Sequence, residues 1–135
     1  MLKTEIIHPQ LNRVLSELRH NDFLVIGDAG LPIPRGVERI DLGWTKNNPR
    51  YLDVLQAVAN CMVIEGATFA EEAKTNGEAT LEVHKRALEI LTEKVELDYI
   101  PHSELKARCA NAKAIILTGE YTGYTNVILR CGCAY

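Results

Sequence analysis

Two histidines and an aspartate stand where the chain changes from one local pattern to another. His20 follows the helically spaced Leu11, Val14, Leu15 and Leu18. Asp28 ends the apolar run Phe23-Leu24-Val25-Ile26 and is framed by Gly27 and Gly30. His102 lies between Pro101 and Ser103. An imidazole both gives and takes a proton near neutral pH. A carboxylate among small residues lets a ligand approach closely, and Pro32 and Pro34 stiffen the loop before one arrives. The segment Thr118 to Asn126, TGEYTGYTN, offers hydroxyls and an amide suited to a polyol. Within it Tyr124 could stack on a sugar face or donate its phenol, and Asn126 both donates and accepts.

Each of these residues also has a plainer reading. His20 suits a helix C-terminus as a solvated cation. Asp28 suits a turn in which it bonds its own backbone. His102 can be a solvated residue before a helix, and the Thr118–Asn126 segment a simple connection between strands. His8 and His84 are expected on the surface. Glu71 and Glu72 are adjacent on a helix and diverge by about 100°, so they read as a solvated face. Cys131 and Cys133 form a C-x-C without a second pair or a His-x-His to complete a zinc site. With Cys61 and Cys109 they are expected to be reduced structural thiols.

The elements that must carry these groups alternate. Pro9 to Arg19 reads as an amphipathic helix, and Phe23 to Gly27 as a strand covered on both faces. Val37 to Leu42 suggests a second strand. Asn48-Pro49 reads as an N-cap and first helical position, and Thr68 to Glu71 as the start of a capping box for a helix through Lys74. Cys61 to Ile64 is a further short apolar run. Glu78 to Lys94 is the longest helical pattern, with Leu81, Ala87, Leu88 and Leu91 as its expected buried stripe. Val95 to Ile100 reads as a strand, Ser103 caps a helix to about Ala112, and Ala114–Leu117 and Asn126–Cys131 close the chain as strands. This order predicts an α/β fold, one domain over residues 1–135, with helices on both faces of a largely parallel sheet. Ligands then collect beyond the strands' carboxyl ends, where Asp28, His102 and residues 119–125 fall.

Composition narrows the classes. The 135 residues are 47% apolar with net charge −3, which fits one globular domain and gives no basic patch for nucleic acid. No apolar run approaches the ~18 residues of a membrane span, and the N-terminal stretch has no secretory core, so a cytoplasmic protein is expected. Neither G-x-G-x-x-G, a Walker loop nor a nucleophile elbow is present.

From LNRVLSELRHND through LVIGDAGLPIP, VERIDL and AEEAK to IPHSELK, TGEYTGYTNVIL and Gly132, the chain resembles the RbsD/FucU sugar mutarotase family end to end. DAGLPIP is the most specific piece. The fucose branch typically has an Asp-Ala-Asn-Phe-Pro type of loop there, so the likeness is to the ribose branch. The resemblance implies a three-layer α/β/α fold with a mixed, largely parallel sheet. It implies His20 as catalytic residue, with Asp28, His102, Tyr124, Thr125 and Asn126 binding substrate, and no metal or cofactor. It also implies homo-oligomeric rings, pentamers or stacked pairs, with the site shared between subunits. The activity it implies is interconversion of the pyranose and furanose forms of free D-ribose. Alternatives are another sugar such as L-fucose, or a non-catalytic ribose-binding accessory protein. The family usually has glycine before the catalytic histidine, where this chain has Arg19.

Overall fold

Leu24, Val25 and Ile26 are fully buried, so strand β1 (Phe23–Gly27) is covered on both faces. In the computed structural model, which describes residues 1–135, helix α1 (Pro9–Glu17) precedes it. There follow β2 (Glu38–Asp41), α2 (Tyr51–Cys61), β3 (Ile64–Ala70), α3 (Glu72–Thr75), α4 (Glu78–Ile90) and β4 (Glu96–Ile100). The chain ends with α5 (His102–Arg108), a 3₁₀ turn at Cys109–Asn111, β5 (Ala114–Leu117) and β6 (Val127–Cys131). One six-stranded sheet has the order β2-β5-β1-β6-β3-β4. Parallel ladders join β1 with β5, β2 with β5, and β3 with β4; β6 runs antiparallel to both β1 and β3. The two final strands, consecutive in sequence, are therefore separated by β1.

Side chains alternate across the sheet and divide the core in two. Leu24, Ile26 and Ile116 face Leu11, Val14, Leu55, Val58 and Ala87 of α1, α2 and α4. Val25, Ile115 and Ile128 face Leu105 of α5 and Cys109. Helices thus cover both faces, giving α/β/α layers. No helix is long and apolar enough to cross a membrane.

Several local expectations give way to longer-range contacts. Thr68 to Ala70 is not a helix start but the middle and end of β3, paired on one side with β4 and on the other with β6. Two ladders outweigh a capping signature worth about 1 kcal/mol. Asn48–Pro49 is a cis peptide in the turn before α2, and that helix begins at Tyr51, whose N–H meets the carboxylate of Glu120 at 3.3 Å. Ser103 does not cap α5; the helix begins at His102, whose N–H donates to Glu72 Oε2 at 3.0 Å. Helix α1 ends at Glu17 and α4 at Ile90, each followed by a residue in extended conformation.

His84 is buried, not on the surface. It belongs to the buried stripe of α4 with Thr80 and Ala87, while Leu81 and Leu88 are only half-buried. Its Nε2 lies 2.8 Å from the Tyr99 hydroxyl, and its ring packs edge-on against Phe69 at 4.7 Å. Lys74 sits over the Tyr99 ring. Burial first, and then the charge of Lys74, hold the His84 imidazole below its usual value of 6.5. The unfolded chain therefore takes up this proton more readily than the folded one. Stability contributed by the neutral ring is intact above pH 6.5 and is lost as the pH falls through the lowered value. Urea denaturation at about pH 7.5 and about pH 5.5 checks this: the native chain loses stability at the lower pH, and His84→Gln shows a smaller difference between the two.

Candidate functional site

Strands β1 to β5 all point one way, so their carboxyl ends share one edge of the sheet. Asp28 follows β1, Glu72 follows β3, His102 follows β4, and residues 118–126 follow β5. Because β6 runs the other way, its amino end is delivered to the same edge. The register Ile26↔Val127 places Asn126 beside the end of β1. There Asn126 Nδ2 donates to Asp28 Oδ2 at 3.0 Å, and the Asp28 N–H donates to Asn126 Oδ1 at 2.9 Å. The other Asp28 oxygen accepts from the Gly30 N–H at 3.0 Å. Gly27 makes the pairing possible: a Cβ there would lie 2.5 Å from Leu31 and 2.9 Å from Asn126 Oδ1.

Tyr124 adopts a left-handed conformation, φ 62°, and its ring meets His102 edge-on at 4.9 Å. His102 Nδ1 is buried without a hydrogen-bond partner from the protein. An unpaired buried polar atom costs about 1–3 kcal/mol, which a hydroxyl reaching that nitrogen would relieve. Thr125 turns inward and its hydroxyl donates to the Thr122 carbonyl at 2.8 Å, bracing the loop. Asp28, Asn126, Tyr124 and His102 thus form a continuous row of acceptors, donors and an aromatic face, the surface a polyol requires. The cavity beneath this loop, bordered by Tyr51, His84, Tyr124 and Asn126, holds only about 10 Å³. That is the room of one water at most, so this cavity admits no larger ligand.

His20 is not part of this row within one chain. It precedes the amino end of β1, beside the carboxyl end of β6, where the Asn21 N–H donates to the Cys131 carbonyl at 2.9 Å. A five-residue strand, roughly 17 Å long, separates it from Asp28. The His20 ring is about half exposed, and its Nε2 lies 3.1 Å from Glu65 Oε2. Arg19 does not obstruct this arrangement. Its guanidinium donates to the Ser16 and Leu18 carbonyls at the end of α1, at 3.0 and 2.9 Å, where a cation suits the helix dipole. The left-handed turn that a glycine would ease falls instead on Asn21, φ 67°.

Two acids without an expected role, Glu120 and Glu72, also shape the edge. Glu120 is buried in the loop after β5. It pairs with half-exposed Arg50 at 3.1 Å and accepts from the Tyr51 N–H and from the Thr122 hydroxyl at 2.8 Å. The Ala29 N–H donates to its carbonyl at 2.9 Å, so one residue ties the loops of Asp28 and Tyr124 to the start of α2. The available signal was an acid inside a Gly/Thr/Tyr segment directly after a buried strand. Glu72, read as solvated, holds the backbone of His102. Cys131 is buried and its thiol pushed up to about 11 by burial and by Asp22, in keeping with a structural role.

The sequence profile of the RbsD / FucU transport protein family matches residues 1–134, and the chain belongs to that family. A D-ribose pyranase of Bacillus cereus is 44% identical over 136 residues, and one of Oenococcus oeni 39% identical over 135, with each chain covered in full. Bacillus subtilis RbsD, solved with D-ribose, superposes with a TM-score of 0.93 at 36% identity over the full length of both chains. A fucose mutarotase from Streptococcus pneumoniae, solved with L-fucose, shares the fold with a TM-score of 0.75 at 23% identity, over 99% of this chain and 100% of that one.

Replacing Glu120 with Gln removes the charge that faces Arg50 and the N-terminus of α2. Stability measured by urea denaturation falls by about 1–3 kcal/mol, more than for the exposed Glu71→Gln.

Proposed function

We propose that this member of the family is an intramolecular isomerase acting on free D-ribose, interconverting its six- and five-membered ring forms. The observation that carries the reading is the Asp28–Asn126–Tyr124–His102 row, set on a chain that matches curated D-ribose pyranases over its whole length. The ribose branch is favoured over fucose because the superposition on ribose-bound RbsD is closer, at 0.93 against 0.75.

The reaction needs only protons in the right places. The anomeric hydroxyl gives up its proton as C1 becomes a carbonyl, and the ring oxygen gains one as its bond to C1 breaks. Bonds then rotate, and another hydroxyl closes on the aldehyde. General acid and base groups of this kind are typically worth ~10²–10⁴-fold. On this reading Asp28 and Asn126 hold sugar hydroxyls, His102 accepts or donates through its unpaired ring nitrogen, and Tyr124 covers a face of the sugar. The Thr125 side chain braces the loop that presents them. His20 is the proton-transferring residue.

His20 lies at the other end of β1 from Asp28, so it reaches the row only from a neighbouring copy. The functional unit is therefore a homo-oligomer, a pentameric ring or two stacked rings as the family resemblance implies, with each sugar held between two chains.

Saturation-transfer NMR between ribose ring forms tests the assignment. Exchange in the presence of His20→Ala drops by ~10²-fold or more, and Asp28→Asn weakens ribose binding as well. Equal rates for His20→Ala and the native chain would refute the role of His20. If the native chain binds ribose without accelerating exchange, the accessory reading replaces the enzymatic one. Refolding His20→Ala and Asp28→Asn chains together restores roughly a quarter of native exchange, by random pairing of copies in a symmetric ring. Each variant alone shows almost none.

A further inference from the structure

Glu65 is the hydrogen-bonding partner of the His20 ring, and the proposed chemistry leaves it without a task. It is the second residue of β3, at the sheet edge opposite the sugar-binding row. Its Oε2 lies 3.1 Å from His20 Nε2. Its other oxygen accepts from the Cys133 N–H at 3.4 Å, and the Arg130 guanidinium stands 3.6 Å from Oε2. Arg130 also reaches the Asn21 side chain at 3.5 Å, next to His20, and is steadied by Glu96 at 2.8 Å.

The seat is shaped by what is missing from its wall. A Cβ on Gly132 would come within 2.5 Å of Glu65 Cγ and 2.8 Å of its Oε1. A Cβ on Gly66 would come within 3.0 Å of Arg130 Nε. Gly132 leaves room for the Glu65 side chain itself, and Gly66 for the arginine that pairs with it. The hydrogen bond from His20 is the main influence holding the Glu65 carboxyl below its ordinary range, with the Cys133 N–H and Arg130 adding to it against partial burial. Glu65 is therefore ionised at neutral pH and can only accept.

We infer that Glu65 is a positioning residue for His20: it holds the imidazole by its Nε2–H, so that Nδ1 is the nitrogen that takes and returns the sugar's proton. This rests on the functional reading above. A carboxylate acceptor at Nε2 keeps the proton of the neutral ring there and leaves the Nδ1 lone pair free. In ring opening the anomeric O–H bond breaks as an Nδ1–H bond forms, and the freed electron pair makes the carbonyl. The bond from C1 to the ring oxygen breaks with its pair on oxygen, which then takes the proton back from Nδ1. The imidazolium formed between the two transfers faces an anion throughout. Glu65 neither gains nor loses a proton and does not touch the sugar.

Two measurements on the full-length chain test this. In the native protein, ¹⁵N NMR of the neutral His20 ring shows the Nε2–H tautomer; in Glu65→Gln that preference weakens. In the same variant kcat for ring exchange falls by roughly 10–100-fold, by analogy with metal-bound histidines that lose the group orienting them, while KM stays near the native value. Glu65→Asp recovers part of the loss. Gly132→Ala keeps the carboxylate but displaces it, and lowers kcat in the same sense with native circular dichroism and native oligomer size. A native His20 ring protonated on Nδ1, or unchanged kcat in both Glu65→Gln and Gly132→Ala, would overturn the inference while leaving the pyranase reading intact. Native exchange by His20→Ala would instead remove the role of His20, and this inference with it.

Discussion

The reversed direction of β6 decides which side chains meet at the carboxyl edge of this sheet. In a wholly parallel sheet, every strand would leave its carboxyl end at one edge and its amino end at the other. Inserting one antiparallel strand between β1 and β3 breaks that rule at a single place. The amino end of β6, with Asn126, arrives beside the carboxyl end of β1, with Asp28. Their reciprocal hydrogen bonds join residues 98 positions apart. A carboxylate and an amide paired in this way hold each other's rotamers. Both also keep unused lone pairs or N–H groups for a ligand.

That pairing depends on buried polar groups that are fully satisfied. Glu120 is fully enclosed by protein, yet it meets a guanidinium, a helix-terminal N–H and a hydroxyl. Desolvating a carboxylate costs several kcal/mol, and such a group persists only where its neighbours supply the lost hydration. Here those neighbours come from the start of α2 and from the loop itself, so the stabilisation is available only when the loop has its native shape. A polar loop of this kind is rigid for an electrostatic reason, without a large apolar contact.

The strands were legible in the sequence wherever a short apolar run was bounded by turn residues. β1, β5 and nearly all of β6 follow that rule, while β4 alternates charged and apolar residues, and the run Cys61 to Ile64 breaks the rule by closing α2 and supplying only the first residue of β3. Thr68 failed it because a strand of mixed composition, Ile64 to Ala70, carries a local signature for a helix start; only pairing with two neighbours decides the matter. His84 failed because a histidine among charged residues looks solvated until Tyr99 and Phe69 close around it. Asp28, His102, Tyr124 and Asn126 were visible as residue types at strand ends, though their mutual contacts were not. Glu120 and Glu65 were hidden because each meets a charged or helix-terminal partner 45 or more positions away.

On the proposed reading, the distance between His20 and Asp28 is itself a mechanistic device. A group that shuttles protons must be reachable by a free sugar, and the sugar must be shielded from water while it is an open aldehyde. In one chain Asp28, His102 and Tyr124 are half-buried around a buried Asn126, and the imidazole at the far edge is half exposed. Neither half encloses a substrate. Bringing the amino edge of one sheet against the carboxyl edge of another would close the row and supply the proton carrier in the same step. Enclosure, positioning and catalysis would then share one interface. The penalty for ordering the site would be met once, when the ring assembles, rather than at each turnover.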